Sequence, residues 1–381
     1  LARASPRWVL LAAMTQPSQT LHLSSRNDCH FGLEVELSSQ GKLLREAHLE
    51  AKILRDIHQL QSQWDGKPFE AIIFEGGGTK GMVYAGAIHR LQEAGLFDDI
   101  KCFGGTSAGA QTAALCAVGY TGSELKVLMT HTPWDKLLDK SSLLGCFGCF
   151  PNIYRLVTKH GWCKGEVLQN HLEMLISAKM GPGCTLKRLY EEKGVVLRVG
   201  ACNITTRRFE LLDYTTYPDM PVSVAARASS NIPFIFVPVE YDNSVAHPGQ
   251  RCLYVDGGLE GNIPMKAFPG KRSLAFDLMS SGDWSRKHGN PIRPKGLWHF
   301  STTLLDMVLN SAQSGQGLNE DDPRISAGQK VQIVKIHCGD HGVLETNLSE
   351  QEVLLMVAAG WDAVDEFLET AAAAGPSSSS T

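Results

Sequence analysis

Residues 74–111 read FEGGGTKGMVYAGAIHRLQEAGLFDDIKCFGGTSAGAQ, and their order decides the fold. The apolar run at 71–74 is short and unbroken, as in strands covered on both faces of a parallel sheet. Residues 82–94 follow with helical spacing, and Gly95 is a natural terminator. A second strand, IKCFGG at 100–105, then runs into a helix predicted to begin near Ala108. Strand, glycine turn, helix, repeated, is the pattern of an α/β protein with a parallel sheet.

The second turn, GTSAG at 105–109, fits G-x-S-x-G between a strand and a helix. There Ser107 is expected on a sharp, strained turn, with Gly105 and Gly109 present because a Cβ would collide with neighbouring backbone. The following helix directs its N-terminal amides and positive dipole end towards the hydroxyl. The first turn, GGGTKG at 76–81, holds a literal G-x-G-x-x-G at Gly76, Gly78 and Gly81. A dinucleotide fold would place an Asp or Glu at the end of the next strand, where this chain has Gly104, Gly105, Thr106 and Ser107. It is not a P-loop either, because Lys80 precedes the last glycine. The three consecutive glycines Gly76, Gly77 and Gly78 beside a nucleophile instead offer free backbone N–H groups to an oxyanion.

A serine needs a base to remove its proton. The chain has 13 histidines. His247 follows a turn, His299 lies in a tryptophan-flanked stretch, and His337 and His341 bracket a strand end, none in a setting that marks a base. In CLYVDGGLEGNIP, by contrast, Asp256 ends an apolar strand ahead of two glycines, and the edge of a parallel sheet is where such folds hold their sites. Asp256 is therefore the preferred candidate, with a Ser-His-Asp arrangement as the alternative.

Taken in order, GGGTKG, GTSAG and DGG resemble the three motifs of the patatin-like phospholipases. The similarity extends through TLKRLYEEKGVVLRVGACNITT, ARASSNIPFIFVPV and LSEQEVLLMVAAGWDAV, over roughly residues 70 to 368. It implies a three-layer α/β/α fold with a mostly parallel central sheet. It also implies a Ser-Asp dyad, with Ser107 as nucleophile and Asp256 as general base, amides of the 76–81 loop binding the oxyanion, and no metal or other cofactor. The substrate class implied is a lipid ester, in particular a phospholipid. The family commonly has Arg where this chain has Lys80; both are cationic, but their hydrogen-bonding forks differ. An inactive lipid-binding protein of the same fold is the alternative from another class.

Composition bounds the remainder. With 381 residues and a formal charge of −4, the chain has a large core and no basic footprint for nucleic acid. Its ten cysteines are scattered, and the lone C-x-x-C of Cys146 and Cys149 reads as packed thiols in an intracellular protein. No apolar run reaches the roughly 18 residues of a membrane span. The expected organisation is a leader at 1–40, poorly ordered or targeting; a helical arm at 41–66; a catalytic domain at 67–370; and a disordered tail at 371–381. Residues 1–27 carry Arg3, Arg7 and Arg26 without an acid, which resembles a transit segment as much as an unstructured leader. Ser349 and Glu352 form a capping box ahead of a helix whose predicted buried face is Val353, Leu354, Val357, Trp361, Val364 and Leu368. Two stretches are candidates for peripheral membrane contact, the apolar 143–154, which reads first as core packing, and the tryptophan-flanked basic 284–298, which reads first as a solvated loop with buried tryptophans.

Overall fold

The computed structural model describes residues 66–137, 139, 150–242, 244–279, 330–339, 341, 345 and 347–373. The chain divides into a unit of residues 1–60 and one of residues 61–381; everything below concerns the second. The expected arm at 41–66, the leader, the tail, the Cys146/Cys149 pair, His299 and the stretch 284–298 lie wholly or mainly outside the described residues.

Ten strands are described: β1 (Ala71–Phe74), β2 (Cys102–Thr106), β3 (Gly161–Cys163), β4 (Val196–Asn203), β5 (Arg208–Leu212), β6 (Phe234–Phe236), β7 (Val239–Tyr241), β8 (Cys252–Asp256), β9 (Ser273–Met279) and β10 (Val331–His337). The described helices are α1 (Tyr84–Glu93), α2 (Ala108–Val118), α3 (Gly122–His131), α4 (Trp134–Leu137), α5 (Phe150–Lys159), α6 (Glu166–Met180), α7 (Leu186–Lys193), α8 (Val222–Ser229) and α9 (Glu350–Ala373). The central sheet runs β10-β9-β1-β2-β4-β8-β7, with β5 paired to β4, and β3 and β6 form a separate parallel pair. From β10 to β4 every pairing is parallel, whereas β5, β7 and β8 are antiparallel to their neighbours. The protein is thus a mixed α/β fold with a mostly parallel central sheet.

At the centre of the sheet both faces are buried, which is why β1 and β2 are apolar or glycine at every position but the last of β2, Thr106, whose hydroxyl donates to the Gly261 carbonyl. Alternate side chains go to opposite sides. Ile72 and Phe74 join the large cluster shared with α1, α2 and α9, while Ala71 and Ile73 join a smaller one with Ile263, Met265 and Phe268. Of the layer on that second face, the described residues supply the short segment around 263–268.

Two local expectations are revised by packing. The predicted helix at 82–94 is preceded by a 3-10 run, Gly78–Val83, which winds the glycine loop tightly before α1 begins at Tyr84. In α9, the Ser349–Glu352 capping box is present, with Ser349 N donating to Glu352 Oε2 at 2.7 Å. Its buried face holds the expected Val353, Val357, Val364 and Leu368 together with Met356 and Phe367, whereas Trp361 is half-buried and Leu354 turns outwards at 38 % exposure. Leu354 lies on the flank of the stripe that packs on α1, so periodicity alone set it one position too far round.

Candidate active site

Ser107 stands between β2 and α2 with φ 54° and ψ −124°, one of four non-glycine residues with positive φ among those described. That conformation is strained for a residue with a Cβ, and surrounding packing must hold it. A Cβ on Gly105 would lie 2.4 Å from the backbone of Gly109, and one on Gly109 would lie 2.4 Å from the Phe74 carbonyl oxygen. Both glycines are therefore required by the close crossing of α2 over β1 and β2. The Ser107 amide donates to Ser229 Oγ at 2.8 Å, and that hydroxyl donates onward to the Gly200 carbonyl at 2.5 Å. Ser229, fully buried at the end of α8, thus ties the nucleophile turn to β4. Its role is not marked in the chain, because α8 reads VSVAARAS and Ser223 and Arg227 are polar positions of the same helix.

The acid arrives by register. Thr106 of β2 pairs with Gly200 of β4, and the next β4 residue, Ala201, pairs with Asp256 of β8 on the opposite side. Because β4 runs on past the end of β2, the terminus of the antiparallel β8 comes level with the nucleophile turn. Asp256 is expected from the chain at the C-terminal edge of a parallel sheet; β8 instead runs antiparallel to β4, and the overshoot of β4 brings the side chain to the site. Ser107 Oγ donates to Asp256 Oδ2 at 2.7 Å, and Gly258 N donates to Asp256 Oδ1 at 2.8 Å. Asp256 is 1 % exposed and Ser107 is 8 % exposed. Burial raises the Asp256 carboxyl from 3.8 to about 6, against the opposing pull of its hydrogen bonds from Ser107 and Gly258. A carboxylate so poised binds a proton far more readily than an exposed one.

The strand end carrying Asp256 is braced by a polar network that the sequence did not disclose. Asp256 N donates to the Asn231 carbonyl at 2.9 Å, and Asn231 Nδ2 donates to the Tyr254 carbonyl at 3.2 Å. Arg227, 2 % exposed, hydrogen-bonds Asn231 Oδ1 and donates to the Gly165 carbonyl at 3.0 Å. Burial pulls its guanidinium down to about 10.

The candidate histidines are engaged elsewhere. His247 Nε2 lies 2.9 Å from Glu210 and His341 Nδ1 lies 3.1 Å from Glu345, while His337 ends β10. Among the described residues no imidazole hydrogen-bonds Ser107 or Asp256.

The glycine loop reaches the same spot, with a narrower choice of donors than expected. The Gly76 amide donates to the Asn262 carbonyl at 3.0 Å, so it is not available to an oxyanion. The Lys80 amide donates to the Gly77 carbonyl at 3.2 Å, and its side chain, 5 % exposed, acts electrostatically on the buried Glu75 rather than lining the cavity. Gly81 sits inside the 3-10 run, where an added Cβ would lie 3.0 Å from Ala108 Cβ. That leaves Gly77 and Gly78, whose amides meet no acceptor among the described residues; Gly78 has φ 54° and lines the cavity with Ser107. Glu75, 2 % exposed, anchors the loop from behind, accepting from Asn262 Nδ2 at 3.0 Å and from the Leu278 amide. Its carboxyl is pushed well up by burial and by the neighbouring Asp277.

From Ser107 a cavity of about 140 Å³ extends between α2, α3, α4 and α6. Leu115, Leu128, Met129, Trp134, Leu137, Leu168, Leu172, Leu175 and Phe236 give it an apolar wall. His171 is the titratable group on that wall, and burial lowers its pKa. Among the described residues no cluster of three or more His, Cys, Asp or Glu side chains could hold a metal, and no helix is long and apolar enough to cross a membrane.

The family model described as patatin-like phospholipase matches residues 72–269, a span that contains Ser107, Asp256 and the whole glycine loop. The chain belongs to the patatin-like phospholipase family. It is 27 % identical over 305 residues to the uncharacterised protein YqhO of Bacillus subtilis, covering 78 % of this chain and 97 % of that one. It is 28 % identical to the probable lipid hydrolase 463L of Invertebrate iridescent virus 6, covering 52 % of this chain and 63 % of that one. It is 30 % identical to the triacylglycerol lipase ptl3 of Schizosaccharomyces pombe, covering 51 % and 41 %. The chain therefore spans nearly all of YqhO but well under two thirds of the yeast lipase. Among solved structures, VipD from Legionella pneumophila aligns with a TM-score of 0.43 and 18 % identity over 80 % of this chain and 67 % of its own. This patatin-like chain is thus a member of a lipid hydrolase family, with one serine, one buried acid and an apolar cavity meeting at a single point.

Proposed function

We propose that this patatin-like protein hydrolyses carboxylic esters of lipids through an acyl-serine, with Ser107 as nucleophile and Asp256 as sole general base. The observation that carries the reading is the 2.7 Å hydrogen bond from Ser107 Oγ to a buried Asp256 carboxylate at the mouth of an apolar cavity. In the first half-reaction Asp256 Oδ2 takes the hydroxyl proton as Ser107 Oγ attacks the ester carbonyl carbon. The tetrahedral oxyanion is held by the Gly77 and Gly78 amides, aided by the positive end of α2. Collapse breaks the bond to the alcohol oxygen, which leaves with the proton from Asp256. In the second half-reaction water gives its proton to Asp256 and attacks the acyl-serine; Ser107 recovers its proton and a fatty acid departs. Protons and bonds balance with the chain's own groups and water, so no metal is assigned.

The apolar wall favours a long acyl chain, because each buried methylene contributes about 0.8 kcal/mol. Family membership supports a glycerophospholipid as substrate, bound from a membrane surface; nucleic acid is not a partner in this reading. Mass-spectrometric analysis of products from a mixed lipid extract tests it: wild type should release free fatty acids and lysolipids, and Ser107→Ala should release none. Equal product from both proteins would overturn the assignment.

A further inference from the structure

The turn that follows the bracing residue Asn231 displays an aromatic ring where glycine is usual. Ile235 N donates to the Ile232 carbonyl at 3.2 Å across Pro233 and Phe234, and Phe234 has φ 66°. Proline followed by a positive-φ residue is the arrangement of a type II turn, whose second central position favours Gly or Asn. Phe234 occupies it while 69 % exposed. Both the backbone strain and the bare ring disfavour this residue in water. On either side of it, Ile232 and Phe236 line the acyl cavity, so the ring projects from the cavity's own wall segment.

Phe234 is not isolated. Its backbone pairs with Gly161 of β3, directly after the end of α5. On α5, Ile153, Tyr154 and Val157 are 48 %, 70 % and 71 % exposed, an i, i+1, i+4 apolar stripe facing outwards. Buried Asn152 and Arg155, which donates to the Trp162 carbonyl, fix the other side of the helix to β3. Residues 150–165 contain Arg155, Lys159, His160 and Lys164 and no Asp or Glu. Arg155 is turned to Asn152 and the Trp162 carbonyl, and Lys164 lies 3.5 Å from Glu166, so Lys159 is the cation of this segment that meets no carboxylate among the described residues.

An apolar stripe and aromatic tip, continuous with the wall of the acyl cavity and ending at the cation Lys159 on a segment without acids, match a surface of anionic lipid. We infer that α5 and Phe234 form the face by which this protein docks on an anionic membrane, with Phe234 and the Ile153–Tyr154–Val157 stripe entering the acyl boundary. The inference deepens the lipid-ester reading and rests on it for its biological sense, but binding is measured without turnover.

The test is co-sedimentation of the whole chain with vesicles of phosphatidylcholine mixed with phosphatidylglycerol, and with pure phosphatidylcholine. Wild type should partition to the mixed vesicles more strongly, with the preference falling as salt rises. The triple variant Ile153→Ser, Tyr154→Ser, Val157→Ser should bind about tenfold more weakly or worse. Phe234→Asn, which suits the left-handed backbone, should weaken binding several-fold. Lys159→Glu should act on the mixed vesicles alone. Turnover of a soluble short-chain ester should be unchanged in each variant, which separates loss of docking from loss of folding. If the triple variant unfolds, Phe234→Asn and Lys159→Glu decide. Unchanged vesicle binding in these variants overturns the inference, as does a dimer dissolved by the triple variant with vesicle binding intact. A wild type that binds vesicles but cleaves no ester would sink the catalytic reading and leave the docking face standing.

Discussion

The two halves of the catalytic pair reach the site by different physics. Ser107 is delivered locally: a buried parallel strand, two glycines and a helix start make the turn, all within residues 102–118. Asp256 is delivered at long range, by an antiparallel strand whose position depends on how far β4 overshoots β2. Ser229 and Asn231 connect the two, one holding the amide of Ser107 and the other the amide of Asp256. The comparison teaches that the nucleophile's turn is built within its own stretch and steadied by Ser229 of α8, whereas the base depends on sheet register and on the Asn231 brace beyond that helix.

The largest expected effect is on the local half. Ser107→Ala should lower kcat by at least about 10⁴-fold with the fold intact, checked by ester turnover and circular dichroism. Asp256→Asn comes next, at about 10³-fold or more, with a second signature of opposite sign. The wild-type carboxyl titrates at about 6 when folded and at 3.8 as its reference, so its buried charge opposes folding increasingly as pH rises between those values. The amide carries no such burden. Asp256→Asn should therefore be more stable than wild type at pH 8, by on the order of 1–3 kcal/mol, with the gain fading below about pH 4, as read by denaturant unfolding.

The connection between the halves gives a middle-sized effect. Ser229→Ala leaves the Ser107 amide and the Gly200 carbonyl without their shared hydroxyl, and kcat should fall by about 10- to 100-fold with KM little changed. The pH profile sharpens the role of the acid: kcat/KM should fall about tenfold per pH unit below about 6, because a protonated Asp256 cannot accept the serine proton. The smallest effect is expected at His247, whose ring is held by Glu210 away from the dyad; His247→Gln should change turnover by less than about twofold. A large loss there would favour the histidine alternative over the dyad.

What the sequence made legible follows the same division. Short strands rich in apolar residues are legible in the chain: the run expected at 71–74 is β1 residue for residue, and IKCFGG at 100–105 overlaps β2 to within two residues. The nucleophile turn was readable because its requirement for glycine is met within a few residues. The direction of β8 was not, since an apolar strand reads alike whether it pairs parallel or antiparallel. Nor could the chain alone reveal that the Gly76 amide is taken by Asn262, a contact between residues 186 positions apart when read from the Asn262–Gly76 side-chain bond. The Arg227–Asn231 brace escaped for the same reason: a buried arginine looks like a surface one until its acceptors fold around it. Leu354 shows the limit of periodicity, which finds a helix face but not the edge of the neighbour that covers it.

The account turns on Asp256 being the group that activates Ser107, and the rate of covalent capture by a fluorophosphonate measures that activation directly. Intact-mass spectrometry should show one adduct on wild type, none on Ser107→Ala, and labelling of Asp256→Asn slowed by about 10²-fold or more. Labelling of Asp256→Asn as fast as wild type would contradict the dyad and return the search to an imidazole.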